Sequence, residues 1–254
     1  MSDEVGYEVT GAGAWITLNR PAARNALNQA VREGLREAFL TAEADDGVCV
    51  IVLTGTGDRA FCAGGDLKEM AEGGLAVPPV DYVPQPGRTL ALSKPVVAAV
   101  NGVALGGGFL LAQSADLVVA AETATFGITE VRVGRGAPWA APLPWLVPPR
   151  VAMELLVTGQ AISARRAYEV GLVNAVVPLD ELVTHTRALV ATIAANAPLS
   201  VRAGKAMVYA AAEHGRSAAF DVAEAIWEPV YLSRDAQEGP RAFSEKRVPR
   251  WEGR

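Results

Sequence analysis

Two rhythms of apolar residues run along the chain. In the first half, short clusters of β-formers recur between glycine-bearing turns. In the second half, apolar positions repeat every three or four residues. Residues 5–9 and 14–18 flank Gly11 and Gly13 and predict a hairpin. Val48-Cys-Val-Ile-Val-Leu53 is an unbroken apolar run stopped by Thr54-Gly-Thr-Gly57, and residues 96–100 and 117–121 have the same character. Runs without alternation suit strands of a parallel sheet covered on both faces. Over residues 28–44, Val31, Leu35, Ala38, Phe39 and Ala42 fall on one helical face, and Asn28 is placed to cap the first turn. Helical spacing then dominates over residues 151–158, 164–170, 179–195, 199–212 and 218–232, broken by one β-like run at 172–177. Alternating strands and helices followed by a helical tail predict an α/β core over residues 1–195 and a C-terminal helical region over 196–254. Residues 71–87, rich in Gly and Pro, are the best candidate for a mobile loop able to cover a site, with a passive surface excursion as the alternative.

Half of the 254 residues are hydrophobic and a fifth are charged, enough apolar material for a sizeable core. The net charge of −5 and pI near 5.2 supply no basic stripe, so no nucleic-acid partner is expected. An anionic small molecule stays admissible, because a few Arg and Lys side chains and helix N-termini can hold phosphate. Cys49 and Cys62 lack a CxxC spacing, and His185 and His214 have no neighbouring Cys or second His. These residues predict reduced cysteines, surface histidines, no metal site and no serine–histidine triad. The acidic start Met1-Ser-Asp-Glu4 has no apolar segment behind it, and no apolar run reaches membrane-spanning length. A cytoplasmic protein with no membrane partner is expected.

The candidate chemistry lies in two glycine clusters and one acidic segment. Gly64-Gly65 and Gly106-Gly-Gly108 each follow an apolar run and precede a helical pattern. Glycine lets a ligand approach the backbone closely, and free N–H groups at a helix start favour negative charge. Two such groups converging on one point would make an oxyanion hole; either cluster alone could equally serve packing. Neither has the spacing of a phosphate-binding loop or a dinucleotide fingerprint, and no nucleophile elbow is present. The third segment, Phe126-Gly-Ile-Thr-Glu130, supplies one carboxylate.

In order along the chain stand Asn19-Arg-Pro-Ala-Ala-Arg-Asn-Ala-Leu-Asn28, Ala60-Phe-Cys-Ala-Gly-Gly-Asp-Leu-Lys-Glu-Met70, and Lys94-Pro-Val-Val-Ala-Ala-Val-Asn-Gly-Val-Ala-Leu-Gly-Gly-Gly108. Phe126-Gly-Ile-Thr-Glu130 and Leu156-Val-Thr-Gly-Gln-Ala-Ile-Ser-Ala-Arg-Arg-Ala-Tyr-Glu-Val-Gly-Leu-Val-Asn174 follow. This series resembles the crotonase superfamily of enoyl-CoA hydratases and isomerases over essentially the whole chain, and the tail from Asp235 looks most like the carnitinyl-CoA dehydratase branch. The resemblance implies a crotonase-like (ClpP/crotonase) ββα superhelix with a C-terminal helical trimerisation region. It implies an acyl-CoA thioester substrate, with coenzyme A carried as part of that substrate and no separate cofactor. The thioester carbonyl would be held by the N–H groups of Gly65 and Gly107. The family's coenzyme-contacting positions map onto Arg24, Ala26, Ala63, Gly64, Asp66, Leu67 and Lys68, with Gly106 and Leu110 beside the acyl group. Phe243 and Lys246 match tail residues that reach a neighbouring subunit's ligand in a homotrimer or dimer of trimers. For Arg24, Lys68 and Lys246 an exposed solvated charge is the alternative.

The chain departs from that pattern in two places. Hydratases of this family carry two glutamates, one in the Gly-Gly-Gly-x-Glu segment and one in the Phe-Gly-x-x-Glu segment. Here the second is Glu130, whereas the first position holds Leu110. Leucine neither accepts nor donates a proton, and the amide of Gln113, one turn on, is no base. Residues 135–145, Arg135-Gly-Ala-Pro-Trp-Ala-Ala-Pro-Leu-Pro-Trp145, replace the family's usual continuation and would reshape the acyl pocket, with a merely repacked loop as the alternative. A single acid beside an oxyanion hole favours double-bond isomerisation over hydration, with Leu110 as an apolar wall raising the basicity of Glu130. Hydration through another proton donor, a non-catalytic acyl-CoA-binding protein, and a purely structural Glu130 remain the alternatives.

Overall fold

The computed structural model describes residues 3–73 and 77–254. Its strands, in chain order, are β1 (Val5–Thr10), β2 (Gly13–Leu18), β3 (Val50–Gly55), β4 (Ala60–Cys62), β5 (Val96–Val100), β6 (Val103–Leu105), β7 (Leu117–Ala121), β8 (Thr125–Gly127), β9 (Ile162–Ser163) and β10 (Ala175–Val177). The helices are α1 (Gln29–Ala44), α2 (Leu67–Gly73), α3 (Gly107–Gln113), α4 (Leu143–Leu146), α5 (Pro149–Thr158), α6 (Ala164–Glu169), α7 (Leu182–Ala194), α8 (Pro198–Glu213), α9 (Arg216–Tyr231) and α10 (Asp235–Ser244). The expected α/β class and the helical tail are both present.

The larger sheet has the order β1-β2-β3-β5-β7-β10. The β1–β2 hairpin is antiparallel and every later pairing is parallel. Successive side chains alternate between its faces. Ile51, Leu53, Ala98, Val100 and Ala120 enter one core with α1 and α3, whereas Val50, Val52, Val97, Ala99 and Val119 enter a second with Leu182 and Val190 of α7. Two covered faces explain why these strands read as unbroken apolar runs.

Helix α1 begins where Asn28 Oδ1 accepts from Val31 N at 2.9 Å, and it buries the predicted stripe. Its C-terminal end is closed by Lys94. That side chain is 1% exposed, and its Nζ donates to the carbonyls of Ala42 (2.8 Å) and Asp45 (2.5 Å). A cation at this end complements the helix dipole.

A second sheet, β4-β6-β8-β9, has no counterpart in the periodicity. Its strands hold two or three residues each, too few to display alternation. β4, β6 and β8 are mutually parallel, with Cys62 beside Ala104 and Leu105 beside Gly127.

Helix α8 is tied to the core through Asp116, which accepts from Lys205 Nζ at 2.8 Å and from Tyr209 OH at 2.7 Å. Helix α9 buries none of its own residues and exposes Phe220 and Tyr231, and Leu232 just beyond it is exposed too. Helix α10 was not evident in the sequence pattern. Its buried Asp235 accepts from the N–H groups of Glu252 (2.7 Å) and Gly253 (3.0 Å), anchoring the tail.

The expectation of one mobile loop over 71–87 is corrected. Helix α2 occupies its first residues, residues 74–76 lie outside the described part, and residues 83–86 are buried. The Gln85 carbonyl accepts from the N–H groups of Arg88, Thr89 and Leu90, so this segment is a packed turn. Cys62 is buried, Cys49 is half-buried, and both are free thiols. Among the described residues, no helix is long and apolar enough to cross a membrane.

Lys94→Met keeps the stem but removes the ammonium, leaving two helix-end carbonyls unpaired. Urea titration is expected to show a loss of about 2–4 kcal/mol. A loss below about 0.5 kcal/mol, the scale of an ordinary surface change, would show that Lys94 serves packing alone.

Candidate active site

The parallel strands β4, β6 and β8 end side by side, and each delivers one part of the site. Ligands of α/β sheets gather at such carboxyl ends. From β4 the chain turns through Ala63, Gly64, Gly65 and Asp66 into α2. Gly64 has φ +104°, and a Cβ there would sit 3.1 Å from the Leu105 carbonyl oxygen. Leu27 N donates to Gly64 O at 2.8 Å and Asp66 N donates to Leu27 O at 3.2 Å. These bonds fix both neighbours of Gly65 while turning its own N–H away from Leu27.

From β6 the chain enters α3 through Gly106, whose φ of +52° and ψ of −120° suit glycine alone. Gly106 N donates to Gly127 O at 3.0 Å, locking the turn to β8. Gly107 is the first residue of α3, so its N–H has no acceptor within the helix. A Cβ on Gly107 would lie 3.7 Å from Gly65 N, and one on Gly64 would lie 3.6 Å from Gly107 N. The two glycine turns therefore touch. Gly108 secures the approach, because a Cβ there would overlap the Cys62 carbonyl. Two adjacent unpaired N–H groups can hold a developing oxyanion, and each such donor is typically worth about 3–4 kcal/mol to the barrier.

From β8 the chain passes Ile128 and Thr129 into a 3-10 turn that opens at Glu130. Oε1 of Glu130 lies 3.1 Å from where a Gly106 Cβ would be, so the carboxylate stands over the glycine turn. Oε2 is buried without a hydrogen-bond partner among the described residues. Burial pushes this carboxyl above its ordinary value of 4.5, against opposing pulls from main-chain N–H groups of Glu130 and Thr129 and from the Trp139 indole. Thr129, the residue before this turn, makes no side-chain cap to it.

Leu110, one turn into α3, is 4% exposed and belongs to the main core. The α3 start thus supplies backbone donors but no acid. Trp139 packs its ring 6.0 Å from that of Phe109, and its carbonyl accepts from Gln113 Nε2 at 3.0 Å. The 135–145 segment is in this way built into the wall beside Glu130. Met70 Sδ lies 2.9 Å from where a Gly65 Cβ would be, placing α2 on another side.

The remaining predicted positions divide. Arg24 is exposed with φ +52°; its carbonyl accepts from Ala63 N at 3.0 Å, and Ala26 O accepts from Arg20 Nη1 at 2.8 Å. Arg24, Ala26, Ala63 and Gly64 therefore form one connected stretch of backbone. Asp66 caps the start of α2 through Lys68 N at 3.1 Å. It also pairs with Arg20 at 3.0 Å, and this hydrogen bond holds its carboxyl below the usual range. Leu67 and Lys68 are exposed beside it. Phe243, 87% exposed, and Lys246 stand apart on and just past α10, a helix packed chiefly on α9.

One positioning residue escaped the sequence reading. Asn25 is 1% exposed with φ +56°, and its side chain joins Arg20 N (2.9 Å), Thr56 O (3.1 Å) and Ala60 O (2.8 Å). It pins the 20–27 turn to the start of β4. A buried asparagine in the left-handed region is visible only once the turn is known. Among the described residues no cluster of three or more His, Cys, Asp or Glu is placed to hold a metal ion.

With that geometry in view, the chain is similar to known proteins along its full length. Residues 9–254 match the family described as Enoyl-CoA hydratase/isomerase. The carnitinyl-CoA dehydratase of Salmonella typhi is 38% identical, covering 100% of both chains. The solved enoyl-CoA hydratase of Mycobacterium tuberculosis H37Rv is 40% identical with a TM-score of 0.91, covering 100% of both chains. An enoyl-CoA hydratase/isomerase from Mycobacterium paratuberculosis is 37% identical with a TM-score of 0.91, covering 99% of both chains. The chain belongs to the enoyl-CoA hydratase/isomerase family of the crotonase superfamily, and its fold is the crotonase fold.

The raised pKa of Glu130 has a consequence for stability. The folded chain favours the protonated acid, so above that raised value the ionised carboxylate counts against folding, and the deficit fades as pH falls through it. Glu130→Gln is expected to raise Tm at pH 7 by roughly 2–4 °C, with the gain shrinking towards acid pH. A lower Tm in the variant at pH 7 would contradict the desolvated setting described for this carboxylate.

Proposed function

We propose that the protein binds an acyl-CoA thioester with its carbonyl oxygen between the N–H groups of Gly65 and Gly107, and shifts a double bond along the acyl chain using Glu130. The observation that carries this reading is the combination of two free, adjacent N–H groups with one desolvated carboxylate and a buried leucine where a second acid would stand. Ionised Glu130 removes a proton from the α-carbon of a 3-enoyl thioester. The electrons left behind form a dienolate whose oxygen is held by the two N–H groups. Protonated Glu130 then returns the proton to the γ-carbon, giving the 2-enoyl thioester and restoring the carboxylate. No water or second acid takes part. Coenzyme A belongs to the substrate, and no further cofactor is required.

The coenzyme portion is assigned to the stretch from Arg24 through Ala26, Ala63, Gly64, Asp66, Leu67 and Lys68. Arg24 and Lys68 offer exposed cations there, and Asp66 is already neutralised by Arg20. The apolar outer surface of α9 supports assembly into a trimer or dimer of trimers, with Phe243 and Lys246 reaching a neighbour. A cytoplasmic location belongs to the same reading. The names of the relatives, a dehydratase and a hydratase, support a second reading in which Glu130 alone adds or removes water.

Purified protein offered 3-enoyl-CoA and 2-enoyl-CoA separates these readings. Isomerisation is expected to outpace hydration, and Glu130→Gln is expected to lower it by about 10²–10⁴-fold. The acid limb of kcat/KM should show an apparent pKa above 4.5, because the carboxylate form is the base. Leu110→Glu should move the ratio of hydration to isomerisation upward by at least about 10-fold. Fast hydration that persists at full rate in Glu130→Gln would overturn the mechanism, and tight thioester binding without turnover would leave a binding protein.

A further inference from the structure

Two buried oxygen atoms in the wall beside Glu130 have no hydrogen-bond partner among the described residues: Glu130 Oε2 and Gln113 Oε1. The first belongs to the proposed reaction. The second does not, and no step described above uses it. Gln113 is also not free to turn. Its Nε2 donates to the Trp139 carbonyl at 3.0 Å, so Oε1 is fixed as the outstanding acceptor. The same Trp139 reaches the Glu130 carboxyl with its indole and packs on Phe109. Gln113 and Glu130 therefore flank one aromatic residue in one wall. The other buried polar atom without a partner, Tyr7 OH, lies in the neighbourhood of Asp45, outside this wall.

A buried carbonyl oxygen without a donor costs about as much as a lost hydrogen bond, and folded proteins keep few of them. Where one persists beside a binding site, a ligand that brings the missing donor gains, and one that lacks it is rejected. Position along α3 says where that donor would be. Gly107, at the start of the helix, holds the thioester end, and Gln113 stands six residues further on, about 9 Å along the axis. Leu110 lies between them as an apolar stretch of wall. The order along the helix is thus oxyanion donor, apolar spacer, polar acceptor.

We propose that Gln113 is a specificity-determining residue whose Oε1 accepts a hydrogen bond from a hydroxyl or N–H carried on the acyl chain beyond the β-carbon. The substrate class is then an acyl-CoA with a polar, donor-bearing distal end rather than a plain hydrocarbon chain. This rests on the reading that the chain binds acyl-CoA, and the experiment keeps the two apart.

Hexanoyl-CoA and 6-hydroxyhexanoyl-CoA have no bond for the site to shift or break, so calorimetry on the intact protein with these two is independent of the reaction catalysed. 3-Hydroxyhexanoyl-CoA, which a hydratase could dehydrate, serves as the positional control and is checked for turnover alongside. The 6-hydroxy thioester is expected to bind roughly 10- to 100-fold more tightly than hexanoyl-CoA. Gln113→Leu and Gln113→Met should each erase that ratio, whereas a residue needed only to hold the Trp139 segment would weaken both thioesters alike and leave it unchanged. Equal binding of all three by the wild type, a preference confined to the 3-hydroxy isomer, or a ratio that survives both substitutions overturns the assignment of Gln113. Failure of every thioester to bind would instead overturn the acyl-CoA reading itself.

Discussion

The candidate site depends on one packing constraint: three short parallel strands, β4, β6 and β8, must end in line with α3 pressed against the first of them. Gly108 permits that contact, since any side chain there would run into the Cys62 carbonyl. Once α3 sits so close, its first N–H lies beside the turn that carries Gly65, and pairing of β6 with β8 carries Glu130 to the same edge. The larger sheet and the surrounding helices are the support that holds these strand ends in register.

The electrostatics follow from the same packing. Unpaired N–H groups and a desolvated carboxylate are individually unfavourable, and a protein keeps them together only where the fold over-determines their positions. Asn25 and the Leu27 bonds show how this is achieved, by anchoring the 20–27 turn to β4 and by tying the Gly64 carbonyl and the Asp66 N–H, on either side of Gly65, to Leu27. Lys94 and Asp116 do comparable work further out, closing the end of α1 and holding α8. Among the described residues, the buried side-chain atoms left without a partner are Glu130 Oε2 and Gln113 Oε1, both beside Trp139, and Tyr7 OH, which lies apart.

Membership of the enoyl-CoA hydratase/isomerase family sets the scaffold and leaves the reaction open, because a shared fold does not by itself fix the side chains that act. Leu110 and the rewritten 135–145 segment are where this chain differs, and the structure puts them in contact with the same wall: Leu110 from α3, Trp139 from the segment that follows Glu130. That wall carries the Trp139 ring and the Gln113 amide beside Glu130 and Leu110.

Much of this was legible in the sequence. Unbroken apolar runs announced a sheet covered on both faces, the helical stripe and Asn28 placed α1, and the order of glycine and glutamate motifs pointed to the family and to Leu110 as its departure. Such features are local, so periodicity and residue identity suffice to read them. The second sheet was not legible, since strands of two or three residues carry no period, and neither was α10. The buried turn at 83–86 was misread as a mobile loop for the same reason: composition reports Gly and Pro but not what packs on them. Only the tertiary structure decided that Gly65 N–H has no partner among the described residues while its neighbours are bonded, that Glu130 is desolvated, and that Gln113 Oε1 is likewise unpaired among them. Those properties depend on what lies across space from each group, and no local pattern of residues encodes it.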